Sequence, residues 1–224
     1  MIKILLSVIV LAVPSLLIYL NITHPEANGR YLFNAFVIFI MLERIWETFF
    51  TSKEKDIRQF HGDWTLVLTT FMYFIAGLTM IWEFFYINRI NIFLTIIGLI
   101  IFLLSGILRF WAVKTLGNQW AVHAVGKSKI ITDKHTLIKS GPYKYIRHPI
   151  YLGIMFELIG IALTVNAFYA LMLILCINIP LYIQRAIYEE KTSLQRFGNE
   201  YRTYKNEVPF IIPWKPFNRK KQNK

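Results

Sequence analysis

Long apolar runs alternate with short polar connections along this chain, and that alternation restricts it to folds whose outer faces meet lipid. Residues 4–20, 31–50, 64–87 and 91–113 are four such runs, each close to the length a helix needs to cross a bilayer core. Two further runs, 150–165 and 168–183, are shorter. Only Asn166-Ala167 joins them, which predicts a tight helical hairpin that tilts or dips into the membrane. With 55% hydrophobic residues in 224, a water-soluble domain could not hide this much apolar side chain. The expected fold is an all-α polytopic membrane bundle of about six apolar helices, the last two forming the hairpin.

The formal net charge of +12 is crowded into 51–63, 114–149 and 184–224. The opposite loops carry Arg30 and Arg89. Lys and Arg bias sets orientation, so both termini are expected in the cytoplasm of a cell whose inner membrane holds the protein. Basic loops beside a bilayer report orientation and anionic lipid, and no nucleic-acid-binding motif is visible. Met1 to Leu20 has the length of a signal peptide, but no small-residue cleavage site precedes Asn21-Ile22-Thr23-His24, so it reads as a retained span. Cys176 lies inside an apolar run and excludes a disulfide framework within one chain. His123, His135 and His148 are far apart, with no His-x-x-x-His and no Cys partner, so no metal site is expected. The chain divides into N-terminal helices, 1–113, and a core of connector, hairpin and C-terminal segment, 114–224, in one integrated domain. The last residues, 215–224, form a basic tail expected to fray.

One polar stretch interrupts the apolar pattern, from His135 through Thr136, Leu137, Ile138, Lys139 and Ser140 to Gly153. Gly141-Pro142 is a turn signal. Arg147-His148-Pro149 leads directly into an apolar run, and Pro149 suits the first helical turn, where no N–H is required. Cationic donors therefore stand on a rigid turn at a helix N-terminus, which favours anions. Two readings remain open: a juxtamembrane loop facing lipid phosphates, or a binding site. Upstream, Trp120 to Val125 alternates in the manner of a short strand.

A hairpin returns the chain to its starting side, so Arg185 and Glu189 should lie near Arg147 and His148. They are four apart and share a helical face. Either they pair with each other, or Arg185 takes a ligand carboxylate and Glu189 a ligand ammonium. Ionisable residues within spans are functional candidates by default. Glu43, Arg44 and Glu47 sit at the expected cytoplasmic end of their run, where they either shape a substrate entry or anchor the interface. Arg109 reads as a snorkelling side chain near Lys114, and Glu83, beside Trp82, as an anchor at the opposite interface.

His135-x-Leu137-Ile138, Gly141-Pro142-Tyr143 and Arg147-His148-Pro149-x-Tyr151-x-Gly153 together resemble the signature of the isoprenylcysteine carboxyl methyltransferase family. Arg185, Glu189-Glu190, Leu194, Phe197-Gly198-x-Glu200-Tyr201, Tyr204, Val208-Pro209 and Ile212-Pro213 stand in the family's order and spacing. The resemblance covers about residues 115–213 and leaves the first four runs unassigned. It implies a membrane enzyme with a cytoplasmic pocket for S-adenosyl-L-methionine that is not a Rossmann fold, and no Gly-x-Gly-x-x-Gly occurs here. Cofactor contacts are implied for His135, Thr136, Leu137, Ile138, Tyr143, His148, Pro149, Ile150, Tyr151 and Glu189. Catalytic work is implied for Arg185 and Arg147, with Arg185 holding the acceptor carboxylate.

The expected acceptor is lipophilic or lipidated, most simply an isoprenylcysteine-type carboxylate. Phospholipid amines and lipid-like hydroxyls are alternatives, and they would require a base such as His123, His135 or His148. The rival from another class is a lipid-binding scaffold or transporter. A transporter would place polar groups at broken helices in mid-membrane, whereas here they gather at one face.

Overall fold

The computed structural model describes residues 2–46, 64–119 and 136–212. The expected strand at 120–125, His123, His135, Glu47, the 51–63 loop, Pro213 and the basic tail lie outside these residues, as do the side chains of Glu43 and Arg44. The described residues form helices and turns. In order they are α1 (Ile2–Thr23), α2 (Arg30–Trp46), α3 (Trp64–Ile87), α4 (Ile92–Leu116), α5 (Pro149–Thr164), α6 (Phe168–Leu173), α7 (Ile179–Phe197) and α8 (Asn199–Glu207). Helices at 64–87, 92–116 and 168–197 are long and apolar enough to cross a membrane, and three shorter apolar helices accompany them. Large side chains such as Leu103, Leu104, Ile107 and Phe110 of α4 are exposed, as expected of a surface solvated by lipid.

The hairpin is as tight as its sequence demands. Asn166 takes a left-handed φ of 57°, a conformation Asn tolerates better than most residues. Its side chain then ties two turns together. Oδ1 accepts from the Asn91 N–H at 3.0 Å, and Nδ2 donates to Thr95 Oγ1 at 2.9 Å. Asn91 in turn caps α4 by accepting from the Leu94 N–H.

Helices α4 and α5 pack along their length because glycines let their backbones meet. A Cβ on Gly98 would stand 2.4 Å from the Thr164 nitrogen, and one on Gly160 2.7 Å from the Phe102 nitrogen. Small residues serve this purpose in lipid, where hydrophobicity alone does not drive helices together.

From Phe168 to Phe197 the chain is one helical rod, which runs on past the end of the apolar run at 183. Pro180 does not break it. Its ring would clash with the carbonyl four residues earlier, and a π turn at Ile174–Asn178 opens the helix there, with the Ile179 N–H bonding to Ile174 O. The rod carries Arg185 and Glu189 rigidly out of the apolar layer.

Two expectations about charged residues fail. Glu83 is not an interfacial anchor. It is 2% exposed, and its carboxylate accepts from the N–H groups of Phe168 (2.6 Å), Tyr169 (3.0 Å) and Ala170 (3.1 Å). The tight hairpin presents the orphan donors of α6 to the end of α3, and an anion there satisfies them together. Nor does Arg109 snorkel towards Lys114. It is 4% exposed and pairs with Glu157, itself 2% exposed, while the Tyr73 hydroxyl donates to the same carboxylate at 3.0 Å. Gly153 makes room: a Cβ there would lie 2.2 Å from Arg109 Cγ. Glu157 was legible as an ionisable residue within an apolar run, but sequence reasoning passed over it.

Candidate active site

The polar stretch begins where α4 ends. The Thr136 N–H donates to Gln119 Oε1 at 3.1 Å, which leaves Thr136 exposed and Leu137 and Ile138 partly buried. Gly141 opens a single 3-10 turn, Gly141–Lys144, with φ 57°. A Cβ at that position would meet Thr115 Oγ1 at 2.4 Å, so glycine is required both by its backbone angle and by its approach to α4. Pro142 and Tyr143 are buried beneath the turn.

The C-terminal segment closes on this turn through its backbone. The Arg147 N–H donates to Pro209 O at 2.9 Å, and the His148 N–H to Phe210 O at 3.2 Å. The Tyr204 hydroxyl donates to Tyr143 O at 2.7 Å. Burial pushes the Tyr204 and Tyr201 phenols well above their ordinary range, so Tyr204 keeps the proton that this bond needs.

Glu190 is the centre of the closure. Its Oε1 lies 2.6 Å from Arg147 Nε and 3.3 Å from His148 Nε2, and its Oε2 lies 2.7 Å from Lys205 Nζ. Arg147 also donates from Nη1 to the carbonyls of Lys205 (2.8 Å) and Val208, and its guanidinium lies over the Phe210 ring. The basic turn, α7 and the C-terminal segment are thus fastened at one carboxylate. Sequence reasoning chose Glu189 and left Glu190 without a role. Adjacent helical residues point about 100° apart, so two neighbouring Glu serve different neighbourhoods.

Glu189 and Arg185 face the other way, towards Tyr151. Arg185 is 3% exposed. Its Nε–H donates to the Tyr151 hydroxyl at 3.1 Å and an Nη1–H to Thr65 Oγ1 at 3.1 Å. Glu189, one helical turn on from Arg185, puts its charge in the field of the Tyr151 hydroxyl. Tyr143 stands in the same field: burial, followed by the Glu189 charge, raises its phenol well above the usual value. Pro149 occupies the first position of α5 as its sequence predicts and is buried, while Ile150 and Tyr151 are half-buried. The structure therefore brings Tyr143, His148, Tyr151, Arg185 and Glu189 to one end of the bundle. Thr65 joins them from α3, and no motif marked it.

The arrangement is a buried cation bonded to a phenol, with a half-buried carboxylate one helical turn along, under a rigid basic turn at the end of a membrane bundle. The family model of the isoprenylcysteine carboxyl methyltransferase family matches residues 96–196. The protein-S-isoprenylcysteine O-methyltransferase of Saccharomyces cerevisiae is 29% identical over 194 residues, covering 81% of this chain and 80% of that protein. A methanethiol S-methyltransferase of Bradyrhizobium diazoefficiens is 35% identical over 98 residues, covering 44% of this chain and 32% of that one. The solved structure of a eukaryotic intramembrane Ras methyltransferase aligns with a TM-score of 0.52 and 25% identity, covering 72% of this chain and 55% of that chain. The chain spans less than half the length of the matching vertebrate relatives. Fold, motif and relatives define a membrane methyltransferase. Over residues 96–196 the chain is similar to the isoprenylcysteine carboxyl methyltransferase family.

Proposed function

We propose that this protein transfers a methyl group from S-adenosyl-L-methionine to a lipophilic carboxylate at the cytoplasmic face of the inner membrane, with both termini on that side. The observation that carries this reading is the buried Arg185 held by Tyr151, with Glu189 four residues on along the same helix, so that a fixed cation and an anion share one helical face. The residues fit the methyl donor. Glu189 suits an ammonium, and Tyr143 and Tyr151 offer aromatic faces to adenine or to a sulfonium. When bound, that group would supply an electrophilic methyl for transfer to the acceptor oxygen, with its sulfur leaving as a neutral thioether. Thr136, Leu137 and Ile138, and His135 by its place in the motif, are the further cofactor contacts we assign on the connector side. His148, Pro149 and Ile150 complete the cradle at the N-terminus of α5, where the N–H groups of Ile150 and Tyr151 favour a carboxylate.

An acceptor carboxylate is already ionised at neutral pH, so no general base is needed. The protein's task is to align the acceptor oxygen, exclude water and hold the carboxylate. Arg185 holds it through a planar two-point contact. Arg147 acts through position: its donors are engaged by Glu190 and two carbonyls, which keeps the C-terminal segment closed over the site.

The test is a radiolabelled methyl-transfer assay on host membranes with farnesylcysteine analogues alongside, followed by identification of the labelled species. Label on the analogue, lost in Arg185→Gln, supports the carboxylate reading. Label confined to phospholipid amines, or to a small thiol as the methanethiol S-methyltransferase relative suggests, overturns it.

A further inference from the structure

We propose that Thr65, at the start of α3, is a positioning residue for the acceptor cation Arg185, so that the N-terminal half of the chain contributes to the reaction. This rests on the acceptor role read for Arg185 above. Thr65 lies outside the family match at 96–196, and no motif marks it.

The geometry is specific. Thr65 is 4% exposed and its Oγ1 accepts from Arg185 Nη1 at 3.1 Å. Tyr151 accepts from Nε of the same guanidinium at 3.1 Å. A guanidinium is a rigid planar fork at the end of a flexible stem. One contact leaves it free to pivot, whereas contacts at two different nitrogens fix its plane. Tyr151 comes from α5 and Thr65 from α3, so the plane is set by the packing of α3, α5 and α7.

Thr65 is itself held in place. The Thr69 hydroxyl, one turn on, donates to Thr65 O at 2.8 Å and lies 3.1 Å from Leu66 O, and Thr69 is also 4% exposed. A buried hydroxyl beside a buried cation is costly unless the two are bonded. Valine would keep the shape of Thr65 and remove the acceptor, so the cation would lose one of the contacts that orient its plane without losing its packing.

The experiment uses the full chain in detergent with a farnesylcysteine analogue. Thr65→Val should raise the acceptor KM roughly tenfold, the loss that one hydrogen bond to a charged group carries. It should change kcat less than twofold and leave the affinity for S-adenosylhomocysteine unchanged, and Thr65→Ser should restore the KM. An unchanged KM in a folded Thr65→Val protein overturns the proposal, as does a parallel loss of S-adenosylhomocysteine affinity or a Ser variant that fails to rescue. A second readout is independent of the acceptor: the Nε–H resonance of Arg185 in isotopically labelled protein should move in Thr65→Val and return in Thr65→Ser. If the unmodified protein methylates no farnesylcysteine, the acceptor reading fails. The proposal is then judged by that resonance, and an unmoved signal overturns it.

Discussion

Arg185 and Tyr151, on different helices of the hairpin, meet through an Nε–H···O bond of 3.1 Å. The pairing links the rod that carries Glu189 to the helix that begins at the basic turn. Both ends of the hairpin are pinned: Asn166 and Glu83 hold its tight turn, and Glu190 holds its open end. The residues between them have little freedom to drift apart. Pre-organisation of this kind suits a reaction in which alignment, not proton transfer, is the protein's main contribution.

Glu190→Gln should lower stability by about 3–5 kcal/mol, because it removes the shared partner of Arg147, His148 and Lys205 and leaves Arg147 buried without its counter-ion. Thermal unfolding in detergent measures this. A Tm within a degree or so of the parent would show that the carboxylate does not fasten the segment.

Arg109→Met and Glu157→Met should each destabilise the protein strongly, since each leaves one charge buried in the apolar layer. The double variant should recover much of the loss. A double-mutant cycle in unfolding free energy tests the coupling, and simple additivity would contradict it.

Gly160→Ala should cost about 1–3 kcal/mol, because its Cβ meets α4 backbone 2.7 Å away and backbone does not yield. Gly77→Ala is the matched control. Nothing lies within 4 Å of its Cβ, and replacing a helical glycine gains up to about 1 kcal/mol. Equal effects of the two changes would argue against close α4–α5 packing.

Tyr204 gives a pH dependence whose sign is fixed by its raised phenol. Burial, the largest influence, holds the native group protonated well above its ordinary value of 10.0. The unfolded chain binds fewer protons there, so stability should be flat below about pH 10 and fall above it. In Tyr204→Phe that fall should be smaller, on a baseline lower by about 1 kcal/mol for the lost bond to Tyr143 O. Unfolding followed across alkaline pH measures both.

Glu83→Gln should weaken the start of α6 by about 1–2 kcal/mol, as the charge opposite the orphan N–H groups of Phe168, Tyr169 and Ala170 disappears. Hydrogen exchange at these amides should accelerate while exchange in α4 is unaffected.

Much of this molecule is dictated locally. Apolar runs near the bilayer's thickness, a two-residue hairpin turn at Asn166-Ala167 and Pro149 at a helix start all act over a few residues, so sequence alone determines the helices, the hairpin and the basic turn. The motif spacing also brought out Tyr143, His148, Arg185 and Glu189. Tertiary structure decided the partners. Arg109 turns inward because Glu157 and Gly153 of another helix receive it. Glu83 is a cap because the hairpin delivers three amides to it. Glu190 rather than Glu189 fastens the C-terminal segment, and Thr65 reaches Arg185 across 120 residues of sequence. A charge in an apolar layer must find an opposite charge or a donor, and nothing within its own helix reveals which distant residue supplies it.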